Sequence, residues 1–212
     1  MADETFPHDK SGMVVVPRER ILLPSEETNE AIWPVQEIRF NKKNCILIVD
    51  VDESGLIERM VDEPLLSEFS DLGFQPKEGL HMTVVGYENG RQIGDALQPL
   101  SAEEQEALVL EVIGIAANMD WSWWPAGEPQ PFRGRTAKGL KIISRVECPA
   151  FSDFYDGLGQ LIPTAKFKLY PPHITLLKRP GVGEGIKKAS LSVGAVALNR
   201  PVLSLNYPTI EG

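Results

Sequence analysis

The sequence predicts an α+β fold built from a strand–helix–strand unit that occurs twice. Short apolar runs with a period of two alternate with longer stretches of helical spacing. The same order of elements recurs, from about Asn44 to Tyr87 and from about Gly139 to Lys178. Each copy ends in a strand-like run with one shared pattern, His81-Met82-Thr83 and His173-Ile174-Thr175.

The elements follow in order. Residues 1–40 read as an N-terminal extension packed on the domain, because Pro7, Pro17, Pro24 and Pro34 interrupt any long helix. Met13 to Val16 suits a short strand. The domain proper spans 41–212, a length near the upper end for one domain with a substantial core. Its first copy holds a strand at Cys45–Val49, a helical stretch from about Glu53 to Phe69, a Gly/Pro loop and a strand at Leu80–Tyr87. Ser101 then opens a helix that runs to about Asn118, with Glu104 completing a capping-box pattern. Leu108, Val112, Ile115 and Ala116 keep helical spacing and form its expected core face. The second copy holds a strand at Leu140–Val146, a helix from about Pro149 to Leu161, a Pro-bearing loop and the His173–Lys178 strand. Pro180 to Gly185 reads as a turn, without the context of a nucleotide-binding phosphate loop. Ala189–Leu198 and Pro201–Tyr207 read as closing strands.

The repeated pattern carries the chemistry. The chain has three histidines, and two lie in it. Residues i and i+2 of a strand face one side. Each string therefore directs an imidazole and a hydroxyl to one surface, while Met82 and Ile174 turn into packing. An imidazole exchanges a proton near neutral pH. A hydroxyl donates a hydrogen bond to an oxyanion. A duplicated unit around a pseudo-twofold axis would bring the two pairs together as an acid–base site around a phosphate. The bland alternative is two strand histidines with local hydrogen bonds. His8, in the polar N-terminus, reads as a spectator.

Charge is unevenly distributed. Through Glu128 the chain has 25 acids and 9 Lys/Arg; from Pro129 onward it has 5 acids and 12 Lys/Arg. Arg133, Arg135, Lys138, Lys141 and Arg145 lie in an acid-free stretch, as do Lys166, Lys168, Lys178 and Arg179. A local basic surface on a protein of net charge −9 suits a small anionic ligand better than long duplex nucleic acid. Arg133, Arg135 and Lys138 are therefore candidate substrate-binding residues, the alternative being a solvated basic edge. Trp121, Trp123 and Trp124 read first as core filling and second as stacking faces for a base, with Trp123 carried forward as a substrate contact. Tyr87, Tyr170 and Phe132 are further candidates for base or ribose contact.

Two cysteines, Cys45 and Cys148, lack metal-ligand spacing, and Cys45 reads as a small core residue of its strand. Asp50 and Asp52 share one strand face and read as strand-end carboxylates, since no third ligand is evident. No metal and no cofactor is expected. The opening segment, Met1 to Gly12, is polar and acidic, and no apolar run approaches a membrane span. A cytoplasmic location without a membrane partner is the corresponding expectation.

The segments Leu80 to Tyr87 and Pro171 to Lys178, with the strand and helix before each, resemble the two-histidine (2H, LigT-like) phosphoesterase superfamily. The resemblance covers roughly residues 44–179. It implies a bilobal α+β fold, with two antiparallel sheets flanking a central cleft and helices outside. It implies metal-independent chemistry on a 2′,3′-cyclic phosphate, a 2′–5′ linkage or a small cyclic (oligo)nucleotide. By motif match, His81, Thr83, His173 and Thr175 take the catalytic positions. The substrate partner would be a nucleotide, a cyclic oligonucleotide or an RNA 3′-end, and a monomer is favoured. The departure is the extension of about forty residues before the first repeat strand. A different class of function is a catalytically idle module that binds a nucleotide or RNA end in the same cleft. A structural protein with buried strand histidines is a third.

Overall fold

The computed structural model describes residues 12–17, 35–51, 55–132 and 140–179. The protein is mixed α+β, and its strand pairs are antiparallel. Its elements are β1 (Val14–Pro17), β2 (Val35–Asn41), β3 (Ile46–Val51), α1 (Leu56–Met60), α2 (Glu63–Asp71), β4 (Gln75–Pro76), β5 (His81–Val85), α3 (Tyr87–Leu97), α4 (Ala102–Ala117), β6 (Trp124–Pro125), β7 (Gln130–Phe132), β8 (Leu140–Glu147), α5 (Ala150–Leu161) and β9 (His173–Arg179). They fall into two compact units with interleaved segments. The first takes the chain through Asp52, His81–Trp124 and Glu147–Pro172; the second takes Glu53–Leu80, Pro125–Val146 and the chain from His173.

In the first unit β1, β2, β3 and β5 pair in that order. Strand alternation gives the sheet one apolar face: Val14, Val16, Ile38, Phe40, Leu47, Val49, Met82 and Val84 are all buried. Helices α3 and α4 pack on β3 and β2, and α4 packs on α5. Burial of this face is the main stabilising term for the unit, at roughly 1.5–3 kcal/mol for each large side chain. β1 matches the expected strand at Met13 to Val16. β2 lies almost wholly before residue 41, so the first sheet is built from both sides of that boundary.

The β2–β3 hairpin turns at Lys42–Cys45. Asn41 Oδ1 accepts from the Lys43 amide at 3.0 Å, which closes the turn locally. Cys45 sits in this turn with φ 52°, one residue before β3, whereas the sequence reading began the strand at Cys45. Gly90 of α3 lies over the turn. A Cβ there would stand 2.5 Å from the Asn44 carbonyl oxygen, so only glycine allows the helix this close.

Three helical expectations are refined. The one helical stretch expected from Glu53 to Phe69 is replaced, among the described residues, by α1 and α2, because Val61 is extended and Asp62 restarts the chain. The Asp62 carboxylate accepts from the Leu65 amide at 2.8 Å, and Pro64 sits in the first turn, where its missing N–H costs nothing. The strand expected to reach Tyr87 stops at Val85, and Tyr87 opens α3, a helix the sequence reading did not contain. In α4 the capping box of Ser101 and Glu104 is present, and Asn118 is the C-cap. Its buried face runs through Val109, Val112, Ile113 and Ala116, leaving Leu108 and Ile115 half-buried.

In the second unit β8 pairs with β7 on one side and β9 on the other, and β4 pairs with the end of β9. Ile142, Ile143, Ile174, Leu176 and Leu177 are buried there, as is Ser144. The order strand, helix, antiparallel strand thus occurs at β3–α1/α2–β5 and at β8–α5–β9. The helices are exchanged between the units: α1 and α2 belong to the second, and α5 to the first. The expected closing strands, the Pro180–Gly185 turn and His8 lie outside the described residues.

Candidate functional site: the two His-x-Thr strands

The polar face of the first unit is set by register. On β5, His81 and Thr83 alternate with Met82, which is 0% exposed. Asp50 lies opposite His81 and Ile48 opposite Thr83, so all four share the face away from the apolar core. Thr83 is exposed and His81 half-buried. Asp50 is nearly buried, and Arg39 of β2 holds it with two nitrogens: Nη2 donates to Oδ1 at 2.6 Å, and Nε lies 2.5 Å from Oδ2. The pair thus combines one hydrogen bond with one close ion-pair contact. The sequence reading had Asp50 as a strand-end carboxylate and named neither His81 opposite it nor the arginine beside it.

Immediately after β5, α3 organises a second polar group. Its first residue, Tyr87, is 76% exposed. Glu88 takes an ion pair from Lys168 and a hydrogen bond from the Tyr170 hydroxyl. The Asn89 side chain donates to the Lys168 carbonyl at 2.8 Å and accepts from the Lys168 amide at 3.0 Å. Gln92 does the same for Lys166, accepting at 2.6 Å and donating at 2.9 Å. Two side-chain amides therefore substitute for a neighbouring strand along the segment that leads to Pro171 and Pro172. Asn89 is fully buried, and it also donates to the Tyr155 hydroxyl at 2.7 Å, which in turn donates to the Val84 carbonyl at 2.7 Å. Burial pushes the Tyr155 hydroxyl up from its ordinary value. Tyr170 is 47% exposed, so Tyr87 and Tyr170 both offer surface beside Glu88.

The tryptophans divide. Trp121 is buried, donates to the Ala116 carbonyl at 2.8 Å and meets Phe151 edge-on at 5.8 Å. Trp123 is also fully buried, so its ring presents no face to solvent and stands as core rather than as a substrate contact. Trp124 is half-buried, and its indole donates to Glu147 Oε2 at 2.9 Å.

The second unit carries the other pair. On β9, His173 is half-buried and Thr175 nearly buried, and both alternate with Ile174, which is 0% exposed. Arg145 lies opposite His173 and Ile143 opposite Thr175. Phe132 of β7 rests against the His173 ring, with centroids 5.4 Å apart and planes tilted by 40°. Lys141 follows on the same face of β8. The structure thus groups His173 with Thr175, Arg145 and Phe132, and groups His81 with Thr83 and Asp50. Arg133, Arg135 and Lys138 lie outside the described residues.

The two strands agree in one respect and differ in another. An isoleucine stands opposite each threonine, Ile48 and Ile143. Opposite the histidines stand a carboxylate and a guanidinium, Asp50 and Arg145. Chemically, each surface offers a proton carrier and a hydroxyl donor, and the second adds cations for an anion. Among the described residues no group of three or more His, Cys, Asp or Glu side chains could hold a metal ion. No helix among them is long and apolar enough to cross a membrane. No protein-family model, curated protein or solved structure matches the chain.

Proposed function

We propose that the chain is a metal-independent phosphodiesterase of the two-histidine type. Its substrate is a 2′,3′-cyclic phosphate, a 2′–5′ linkage or a small cyclic (oligo)nucleotide. One observation carries the reading: both His-x-Thr strings are strands whose middle residue is buried and whose histidine and threonine share the other face. The pseudo-twofold duplication, the two lobes, the cleft between them and the kinship with the 2H superfamily belong to the same proposal. In the reaction, water attacks phosphorus in line with the leaving ribose oxygen. One neutral imidazole takes the proton from water, and the other, protonated, gives its proton to the leaving oxygen. Thr83 and Thr175 donate to the non-bridging oxygens as negative charge gathers on them. Tyr87, Tyr170 and Phe132 supply faces for base or ribose, and the basic stretch that includes Lys141 and Arg145 holds phosphate charge.

The test is a panel of cyclic mono-, di- and trinucleotides and RNA with a 2′,3′-cyclic end, with products identified by mass. Turnover is expected with EDTA present, and its rate should be bell-shaped with a maximum at about pH 6–7.5. His81→Ala and His173→Ala should each lower it by about 10²–10⁴-fold. Near-normal turnover in either variant would rule out the two-histidine mechanism. Binding of a panel member without turnover by the wild type would favour the idle nucleotide-binding module.

A further inference from the structure

The two histidines face opposite charges across their strand pairs. His81 has Asp50 directly opposite, and His173 has Arg145. Directly opposed side chains in an antiparallel pair have Cβ atoms about 4.5–5.5 Å apart. A charge at that range is close enough to decide whether an imidazole holds its second proton. We infer that Asp50 is a positioning residue that keeps His81 in the proton-donating form, and that Arg145 keeps His173 in the proton-accepting form. The inference rests on the two-histidine reading above and assigns the direction of its chemistry.

The surrounding charges agree with the assignment. Across from His81, β3 brings Asp50, and β2 brings Glu37 and Arg39 to the same face. Arg39 Nη2 donates to Asp50 Oδ1 at 2.6 Å, which fixes the carboxylate on the face it shares with His81. The carboxylate has lone pairs beyond the one that Arg39 Nη2 occupies, and these can accept an imidazole N–H. Across from His173, β8 brings Arg145 and Lys141, with Lys178 paired to Lys141 at the far end. Glu147, next on that face of β8, is held by the Trp124 indole. β7 brings the uncharged Phe132, and β4 brings the uncharged Gln75 and Pro76. Among the described residues, these strands bring two acids and one base to the face of His81, and three bases and one acid to that of His173.

The step balances with water alone. His173 takes a proton from water as the new P–O bond forms. The bond from phosphorus to the ribose oxygen breaks, and His81 delivers its proton to that oxygen. A cyclic phosphate becomes a phosphomonoester, and the two imidazoles end with protonation states exchanged. Solvent restores them.

The test reads the rings directly, by NMR titration of imidazole nitrogens in the full chain, with the His8 signal assigned through His8→Ala. In the wild type His81 should lose its proton at higher pH than His173. Asp50→Asn should lower the His81 midpoint by about one pH unit, and Arg145→Gln should raise that of His173 by a similar amount. Should Asp50→Asn unfold because Arg39 is left unpaired, the double variant Arg39→Gln/Asp50→Asn replaces the ion pair by two neutral amides. On a turned-over panel nucleotide, Asp50→Asn should move the alkaline limb of the rate profile down, and Arg145→Gln should move the acid limb up. Equal or reversed midpoints in the wild type, or midpoints indifferent to both changes, overturn the inference. Failure to turn over any panel member counts against the proposed function instead, and the ring titrations still read the charge assignment.

Discussion

At the scale of single residues, His81, Thr83 and His173 keep surface open to solvent and the cysteines are closed. Burial pushes the Cys148 thiol up from 9.0 to about 12, and it raises the Cys45 thiol as well. Desolvation disfavours the thiolate, so a buried thiol stays neutral and poorly reactive. The sign of the linkage follows. A group whose folded pKa is raised contributes its full stability below the unfolded value and loses it as pH climbs toward the folded one. For Cys148 that window runs from about pH 9 to about 12. Urea midpoints measured across this range should fall more steeply with pH for the wild type than for Cys148→Ala, compared after each is normalised to its neutral value. Parallel curves would show that Cys148 does not drive the alkaline loss. The same contrast explains why Cys45 and Cys148 need no redox or metal role: each fills core space in the first unit.

At the scale of elements, the local signals and the folded elements agree where a period or a cap is self-contained. The Ser101–Glu104 box is such a case. Ser101 Oγ accepts from the Glu104 amide at 3.3 Å, and Glu104 Oε2 accepts from the Ser101 amide at 2.8 Å. These bonds hold the Glu104 carboxyl below its ordinary range. Ser101→Ala should destabilise the protein by about 1 kcal/mol, read from urea unfolding, without changing the spectrum of the folded state. A change close to zero would mean that the start of α4 is held by packing alone. Agreement fails where an element depends on a distant partner. α3 has little apolar periodicity beyond Ile93 and Leu97, and its place is set by Gly90 against the β2–β3 turn and by Asn89 and Gln92 on residues 166–168. None of those partners is near it in sequence. Likewise Pro64 and Asp62 divide one helical stretch into α1 and α2, a break that the proline marks but the hydrophobic spacing hides.

At the scale of the whole chain, the uneven charge bears on binding. The acids lie mainly before Pro129, and the strands that carry His173, Lys141 and Arg145 come after it. If that region receives phosphate, kcat/KM for a charged substrate should fall severalfold, by about 3–10-fold, between dilute buffer and physiological salt, mostly through KM. A value independent of salt would remove the basic stretch from substrate binding. Much of the candidate site was legible from strand period alone, because alternation is a local property of the backbone. It placed His81 with Thr83 and His173 with Thr175, and it sent Met82 and Ile174 inward. It could not say that Trp123 is sealed in the core, since burial depends on what packs over a residue. Nor could it say what stands opposite each histidine. That Asp50 stands opposite His81 while Arg145 stands opposite His173 follows from cross-strand register, which hairpin length and β-bulges set over long separations. The sequence by itself therefore determined the two His-x-Thr pairs and their facing; only the tertiary structure decided the charge that stands opposite each histidine, because register joins residues that no local pattern connects.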